Sequence, residues 1–149
     1  MNMFADMPPN LSGQQQLERL VDLGLEPPML QTLGIRFVEI ADGRVALEGA
    51  PGKSVYGPIG IVHGGYAATL LDSACACALQ TRLRPGQTLA TLELKVAYHR
   101  PITVDTGTVR AEGHVLNLSR RTGYAEATVV DAAGRLLASA TSTLLIDTP

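Results

Sequence analysis

The feature that most constrains this chain is an apolar segment, GGYAATLLDSACACAL, which runs from Gly64 to Leu79. Asp72 is the only Asp, Glu, Lys or Arg between Lys53 and Arg82. A helix that is apolar on nearly all sides is expected inside a domain rather than on its surface. The segment is shorter than the roughly 20 residues that cross a bilayer, so no membrane span is expected. Burying an ionised carboxylate without a partner is costly, and Asp72 therefore suggests an active site.

Six segments with strand-like patterns flank this helix. The first two are joined by Ala41-Asp42-Gly43, a strong hairpin signal. A weakly amphipathic helix is expected over residues 13–24, and Pro27-Pro28 ends it or starts a second short turn. We predict an α+β fold in which one antiparallel sheet wraps around one buried helix, with a helical leader at residues 1–33 and the domain at 34–149. The predicted strands are Gly34 to Ile40, Arg44 to Gly49, Thr88 to His99, Thr106 to Leu118, Arg121 to Val130 and Arg135 to Ile146.

The third predicted strand alternates clearly between its two faces. Thr91 is predicted on the face opposite Leu92 and Leu94, and would point away from the helix if those leucines face it. A bulge or a second subunit would be needed to bring Thr91 to the helix side. The apolar face is predicted to consist of Leu92, Leu94, Val96 and Tyr98, and the other face of Thr91, Glu93 and Lys95.

The composition excludes several functional classes. A chain of 149 residues suits one domain. Twelve Lys and Arg against fourteen Asp and Glu give a net charge of -2, which argues against a nucleic-acid binder. The N-terminus has no basic region followed by an apolar stretch, so no secretory signal is predicted. Cys75 and Cys77 point in different directions on the helix and are not expected to pair. Free thiols suit a reducing compartment, and a cytoplasmic protein is expected.

Four groups of residues together resemble the hotdog-fold thioesterases (the 4-hydroxybenzoyl-CoA thioesterase superfamily), and most closely their phenylacetate-degradation, PaaI-like branch. The groups are Gly60-Ile61-Val62-His63-Gly64-Gly65, Ala68-Thr69-Leu70-Leu71-Asp72, Thr91-Leu92-Glu93-Leu94-Lys95-Val96 and His99-Arg100-Pro101. The similarity spans about residues 34 to 146. It implies a hotdog fold and hydrolysis of a medium-chain or aromatic acyl-CoA, without a metal or another cofactor.

The resemblance also implies roles for single residues. Asp72 would be the catalytic carboxylate, as general base or nucleophile, and the Gly64 N–H would stabilise the oxyanion. Thr91 matches a hydroxyl position that orients the acid or the water, and His63 matches a histidine that more often shapes the turn than does chemistry. Relatives usually carry Asn or Gln where this chain has Gly57. The expected contacts to the substrate and its coenzyme A are Gly57, Gly65, Arg120 and Arg121.

The length of the helix adds a quaternary prediction. Gly64 and Asp72 are eight residues apart, which is about 12 Å along a helix, so they cannot both touch one thioester carbonyl. Two antiparallel copies of the helix would bring Gly64 of one chain near Asp72 of the other. We therefore expect a homodimer with two shared sites, as the resemblance also implies. Hotdog dimers often pair again, so a homotetramer is expected as well.

Three alternative functions stay open at this point. A non-catalytic acyl-CoA-binding module is suggested by Gly57, which removes a polar group from the motif. A hotdog dehydratase or hydratase would need a catalytic His with its acid at spacings that this chain lacks. A plain oligomeric scaffold leaves Asp72 unexplained.

Overall fold

The computed structural model describes residues 2–148 and has one antiparallel sheet curled around one long helix. Among residues 2–148 the elements are α1 Gly13–Asp22, α2 Pro28–Leu33, β1 Ile35–Ala41, β2 Arg44–Gly49, the 3-10 turn Lys53–Val55, α3 Gly64–Gln80, β3 Thr88–Tyr98, β4 Val109–Leu118, β5 Thr122–Asp131 and β6 Leu136–Asp147. The six strands lie side by side in the order β1-β2-β4-β5-β6-β3. This arrangement confirms the α+β prediction.

The central helix α3 is buried on the side that faces the sheet. β4 approaches it so closely at Gly113 that a Cβ atom there would overlap the Ala74 carbonyl, which is a position only glycine can hold. The opposite side is only half-buried within this chain and consists of Ala68, Thr69, Asp72, Ser73, Ala76 and Cys77. The sequence predicted a helix that is buried on all sides. Within one chain, only the side that faces the sheet is fully buried.

The leader packs against the same core. Ser12 caps α1 in a capping box with Gln15, and the Leu17 and Leu30 side chains are almost fully buried in the core cluster. The Pro27-Pro28 pair starts the short helix α2, with Pro28 at its first position, where a missing N–H costs nothing. No helix among residues 2–148 is long and apolar enough to span a membrane.

Two boundaries can be compared directly with the predictions. The Ala41 to Gly43 hairpin is confirmed, because Ala41 pairs with Arg44 across a two-residue loop. β4 begins at Val109 rather than at Thr106. Thr106 instead closes a turn, in which its hydroxyl oxygen accepts a hydrogen bond from the Thr103 N–H at 2.9 Å.

The alternation predicted for β3 is wrong at Leu92. The register of β3 against β6 shifts between Thr91 and Glu93, so Leu92 is an extra residue and its side chain is 60 % exposed. A bulge of this kind reverses the alternation on its far side. Thr91 and Leu94 consequently lie on the same face, and their partners on β6, Leu144 and Ser142, are both buried.

Candidate active site

The first turn of α3 has one backbone donor free for a ligand. His63 is the N-cap residue, and its Nδ1 accepts a hydrogen bond from the Gly65 N–H at 2.9 Å. The His63 carbonyl accepts from the Tyr66 N–H at 3.0 Å. Among residues 2–148, the Gly64 N–H has no acceptor within hydrogen-bond distance. A free N–H at a helix start lies at the positive end of the helix dipole, where it can stabilise an oxyanion.

The turn that precedes α3 is held by backbone hydrogen bonds to neighbouring segments. The His63 N–H donates to the Val55 carbonyl at 2.8 Å, and the Val62 N–H donates to the Ile102 carbonyl at 2.9 Å. Because His63 Nδ1 acts as an acceptor, its proton in the neutral ring lies on Nε2. The structure therefore gives His63 a capping position, in line with the turn-shaping role that the resemblance suggested.

Tyr98, at the end of β3, covers the Gly64 peptide. Its hydroxyl donates a hydrogen bond to the Gly64 carbonyl oxygen at 2.8 Å. A Cβ atom at Gly64 would lie 3.0 Å from the Tyr98 Cζ and hydroxyl oxygen, so a side chain at position 64 would displace the ring. The sequence predicted Tyr98 only on the apolar face of the third strand, and no local motif signals its contact with Gly64.

The Asp72 carboxylate is held by Thr91, which lies toward the opposite end of β3 from Tyr98. The Thr91 hydroxyl donates to Asp72 Oδ1 at 3.0 Å, which the bulge at Leu92 makes possible within one chain. Asp72 Oδ2 has no hydrogen-bond partner among residues 2–148, and the side chain is half-buried. One carboxylate oxygen is thus fixed in place, while the other is open to a water molecule or a substrate.

β3 contacts both Asp72, through Thr91, and the Gly64 peptide, through Tyr98, but the two contacts lie far apart along the strand. Thr91 and Tyr98 are seven positions apart, which is about 20 Å along a strand. Gly64 and Asp72 are separated by about 12 Å along α3. Within one chain the free N–H and the carboxylate therefore cannot meet at one carbonyl group.

The two thiols of α3 are unsuited to nucleophilic chemistry. Burial, and after it the negative charge of Asp72, raises the pKa of both Cys75 and Cys77 to about 12. A thiol is a nucleophile only as its thiolate, so both remain inert near neutral pH. Among residues 2–148, no group of three His, Cys, Asp or Glu side chains is arranged to hold a metal ion.

The two further glycines of the motif differ in the space around them. A Cβ atom at Gly57 would make only ordinary contacts, 3.6 Å from the Ile61 carbonyl oxygen and 3.9 Å from His63 Cδ2. Position 57 therefore has room for a side chain beside the His63 ring. A Cβ atom at Gly65 would lie 2.9 Å from His63 Nδ1, so a side chain there would disturb the helix cap.

Three arginines line a cleft near the end of the sheet. Arg120 and Arg121 lie in the turn between β4 and β5, and Arg84 follows α3. The cleft has a volume of about 410 Å³ and is also lined by Ile146, Asp147 and Thr148 near the C-terminus, so one carboxylate accompanies the three arginines. Two other arginines are engaged in contacts of their own, since Arg82 pairs with Asp42 at 2.6 Å and Arg100 donates to the Leu136 carbonyl at 2.8 Å.

The sequence from residue 59 to residue 138 matches the family described as "Thioesterase superfamily". This range is more than half of the chain and contains Gly64, Asp72, Thr91 and Tyr98. The chain belongs to the thioesterase superfamily. It is a thioester hydrolase with the hotdog fold, as the sequence predicted.

Similar proteins support this assignment to the thioesterase superfamily. The "Proofreading thioesterase EntH" of Klebsiella pneumoniae is 31% identical over 110 residues, covering 74% of this chain and 79% of that protein. A variant of the phenylacetic acid degradation protein PaaI from Thermus thermophilus is 32% identical, with a TM-score of 0.73 and coverage of 80% of this chain and 98% of that one. A thioesterase family protein from Silicibacter pomeroyi has a TM-score of 0.80 at 27% identity, with coverage of 91% and 99%. The PaaI-like resemblance is thereby confirmed.

Proposed function

We propose that this thioesterase hydrolyses medium-chain or aromatic acyl-CoA to the free acid and coenzyme A, in sites shared by the two chains of a homodimer. In each site, Gly64 of one chain provides the oxyanion donor and Asp72 of the other provides the carboxylate. Thr91 orients Asp72, and His63 shapes the turn that presents Gly64.

The observation that carries this proposal is the free Gly64 N–H on the same helix as Asp72, about 12 Å away. The Gly64 N–H is suited to stabilise the oxyanion, and the Asp72 carboxylate is suited to act as base or nucleophile. Within one chain the two groups are too far apart to act on the same thioester. A second chain related by a two-fold axis supplies the missing half to both sites at once.

The exposed edge of β3 supports such a pairing. β3 is an edge strand of the sheet and is 11 residues long, so the backbone groups of its outer edge have no neighbouring strand among residues 2–148. Long exposed edges are templates for strand pairing. Antiparallel pairing of two β3 strands would place the Thr91 end of one beside the Tyr98 end of the other, and hence Asp72 of one chain beside Gly64 of its partner.

The chemistry follows from these contacts. Asp72 Oδ2 can take a proton from a water molecule whose oxygen attacks the thioester carbonyl carbon. The carbonyl oxygen gains negative charge and is stabilised by the Gly64 N–H. Collapse of this intermediate breaks the carbon–sulfur bond, and the proton passes to the departing thiolate of coenzyme A. As a nucleophile, Asp72 would instead form an acyl anhydride that water then hydrolyses.

We assign the coenzyme A phosphates to the cleft of Arg84, Arg120 and Arg121. The guanidinium group suits phosphate because it can donate two parallel hydrogen bonds. All three side chains are exposed and have no ion-pair partner among residues 2–148.

The deciding experiment is thiol release from acetyl-, hexanoyl-, palmitoyl-, phenylacetyl- and benzoyl-CoA by the wild type, Asp72→Asn and Glu126→Gln. Asn keeps the shape of Asp72 but cannot act as a base, so we expect at least a 10²-fold loss of kcat. Glu126, exposed on the outer face of β5, is the matched control and should keep full activity. A fully active Asp72→Asn enzyme would exclude the mechanism.

Gly57 favours one other function, a non-catalytic acyl-CoA-binding module, because the motif lacks the polar side chain usual at that position. Tight binding of acyl-CoA without thiol release by the wild type would favour this alternative.

Sedimentation equilibrium of the wild-type protein tests the proposed dimer. A dimer or a homotetramer agrees with shared sites, and a fully active monomer contradicts them.

A further inference from the structure

One polar residue interrupts the buried face of β6. The side chains on that face are Ala138, Ala140, Ser142, Leu144 and Ile146, and all five are buried. Ser142 is 0 % exposed. A hydroxyl that is buried so completely loses its contact with water and needs a hydrogen bond inside the protein. The partner of that bond therefore indicates what the serine does.

The Ser142 hydroxyl donates a hydrogen bond to the carbonyl oxygen of Glu93 at 2.9 Å. Glu93 directly follows Leu92, the extra residue of the β3 bulge, so this bond fixes the peptide group at which the regular pairing resumes. On the other face of β6, the Thr143 hydroxyl donates to the Glu93 carboxylate at 3.3 Å. Two consecutive residues of β6 thus hold the residue that follows the bulge, and Ser142 does so from the protein interior.

The bulge opposes a preference of the same sequence. Leu92 is 60 % exposed. A regular strand of the same length would turn Leu92 toward the helix, opposite Leu144, and would turn Thr91 away from it. Burying a leucine side chain is favourable, so the regular strand gains an apolar contact that the bulged strand lacks. Interactions that favour the bulge must outweigh this gain.

A hydrogen bond to the Glu93 carbonyl is suited to this task. The bulged and the regular strand differ in the orientation of the peptide groups next to the extra residue. A donor that β6 places in the interior can therefore favour one of the two strands. Because Ser142 is fully buried, water does not compete for its hydrogen bond.

The bulge decides which side chain of β3 meets the Asp72 carboxylate. With the bulge, Thr91 lies opposite Leu144, and its hydroxyl donates to Asp72 Oδ1 at 3.0 Å. In the regular strand Leu92 would take this place and would have no hydrogen bond to donate. Within the described chain Ser142 has no hydrogen bond to Asp72, so its effect on the carboxylate passes through Thr91.

We infer that Ser142 is a positioning residue of the active site, which holds the bulge at Leu92 and so turns Thr91 toward Asp72. This inference rests on the proposed function, since it assumes that Asp72 carries out the chemistry. Ser142 lies beyond residue 138, where the match to the thioesterase family ends. It is also 49 positions from Glu93, so no local motif signals the contact.

The test compares kcat and KM for the best acyl-CoA in the wild type and in Ser142→Ala, each with and without Leu92. In the full-length strand, Ser142→Ala should lower kcat about three- to tenfold, as expected for one lost hydrogen bond, and should leave KM within about twofold. A strand that lacks Leu92 pairs with β6 in a single register that still turns Thr91 inward, and it has no bulge to hold. In that background Ser142→Ala should change kcat by less than about twofold.

A second comparison does not depend on the folding of the shortened chain. Thr91→Val already lacks the hydroxyl through which Ser142 is inferred to act. Adding Ser142→Ala to Thr91→Val should therefore lower kcat by less than about a further twofold, because the two substitutions remove the same contribution.

Thr81→Val is the matched control. Thr81 is the C-cap residue of α3 and is 6 % exposed, and its hydroxyl oxygen accepts a hydrogen bond from the Gly43 N–H at 2.8 Å. The loss of this buried hydroxyl should lower the melting temperature and leave kcat at the wild-type value. The control therefore separates lost stability from lost positioning.

Three results would overturn the inference. They are full kcat in Ser142→Ala, an equal loss of kcat with and without Leu92, and an undiminished effect of Ser142→Ala in the Thr91→Val background. If the wild type hydrolyses no thioester, or if Asp72→Asn is fully active, the proposed function fails by itself.

The hold on the bulge can then be measured without activity, by hydrogen exchange of the Leu92 and Glu93 amides. Because Ser142→Ala removes the bond that fixes this part of β3, exchange should be at least about threefold faster than in the wild type and in Thr81→Val. Equal exchange rates in the three proteins would contradict the role of Ser142.

Discussion

The hydroxyl of Tyr98 donates a hydrogen bond to the carbonyl oxygen of Gly64 at 2.8 Å, and this contact joins the end of β3 to the first turn of α3. The other end of the same strand holds Asp72 through Thr91 at 3.0 Å. One strand therefore positions both groups that we assign to thioester hydrolysis, although it holds them too far apart to act on the same carbonyl.

We predict that Tyr98→Phe lowers kcat about three- to tenfold and leaves KM nearly unchanged. The ring still covers Gly64, but the lost hydrogen bond, worth about 0.5–1.5 kcal/mol, no longer fixes the peptide next to the oxyanion donor. Steady-state kinetics with the best acyl-CoA measure the effect. Tyr124→Phe is the control, because Tyr124 lies partly exposed on the outer face of β5. Equal kcat in wild type and Tyr98→Phe would contradict the positioning role.

Mixing two inactive variants tests the shared site. Asp72→Asn and Gly64→Pro should each be nearly inactive alone, because Asn cannot act as a base and proline, which the first position of a helix accepts, has no N–H for the oxyanion. After unfolding and refolding together in equal amounts, the mixture should recover about one quarter of the wild-type activity, because half of the dimers are mixed and each mixed dimer has one intact site. If both groups acted within one chain, every chain would carry a defect and the mixture would stay inactive.

Thr91→Val should lower kcat about ten- to a hundredfold, while Thr91→Ser should keep most of the activity. Valine has nearly the same shape but leaves Asp72 Oδ1 without its donor, and a hydrogen bond to a charged group contributes about 1.5–3 kcal/mol. Matched thermal melts of the two variants separate this effect from a loss of stability. A Val variant as active as the Ser variant would show that the hydroxyl is dispensable.

Arg120→Ala and Arg121→Ala should each raise KM for acyl-CoA and leave KM for the corresponding acyl-pantetheine unchanged, because only coenzyme A carries the phosphates. The effect should shrink at high salt, since exposed charges are screened. Arg19→Ala, an exposed arginine of α1, serves as the control. An equal rise in KM for both substrates would place the phosphates elsewhere.

Cys75 and Cys77 should resist alkylation by iodoacetamide in the folded protein at pH 8. Burial raises the pKa of each thiol to about 12, so only about one thiol in ten thousand is ionised at that pH. Reactivity should rise with pH, because deprotonation produces the reactive thiolate. Mass spectrometry of folded and denatured samples measures the modification. Rapid labelling of the folded protein at pH 8 would show that the thiols are not held in an apolar environment.

The sequence was sufficient to predict the helix at Gly64, the hairpin at Asp42-Gly43 and the sheet around α3, because these depend on periodicity and on local turn preferences. It was insufficient to predict which side chains of β3 face the helix. An alternating pattern carries no mark of one inserted residue, so Leu92 was placed with Leu94 although the bulge separates them. The contact of Tyr98 with Gly64 joins residues 34 positions apart, and no local pattern predicts such a pair.

The bulge at Leu92 also affects how relatives of this chain are compared. A relative without position 92 that keeps the same pairing with β6 would still turn its residue 91 toward the acid, because only the unpaired residue is lost. A relative of the same length without the bulge would instead point residue 91 away from the acid and residue 92 toward the helix. A threonine in this alignment column is therefore a counterpart of Thr91 only where the strand is bulged or one residue shorter.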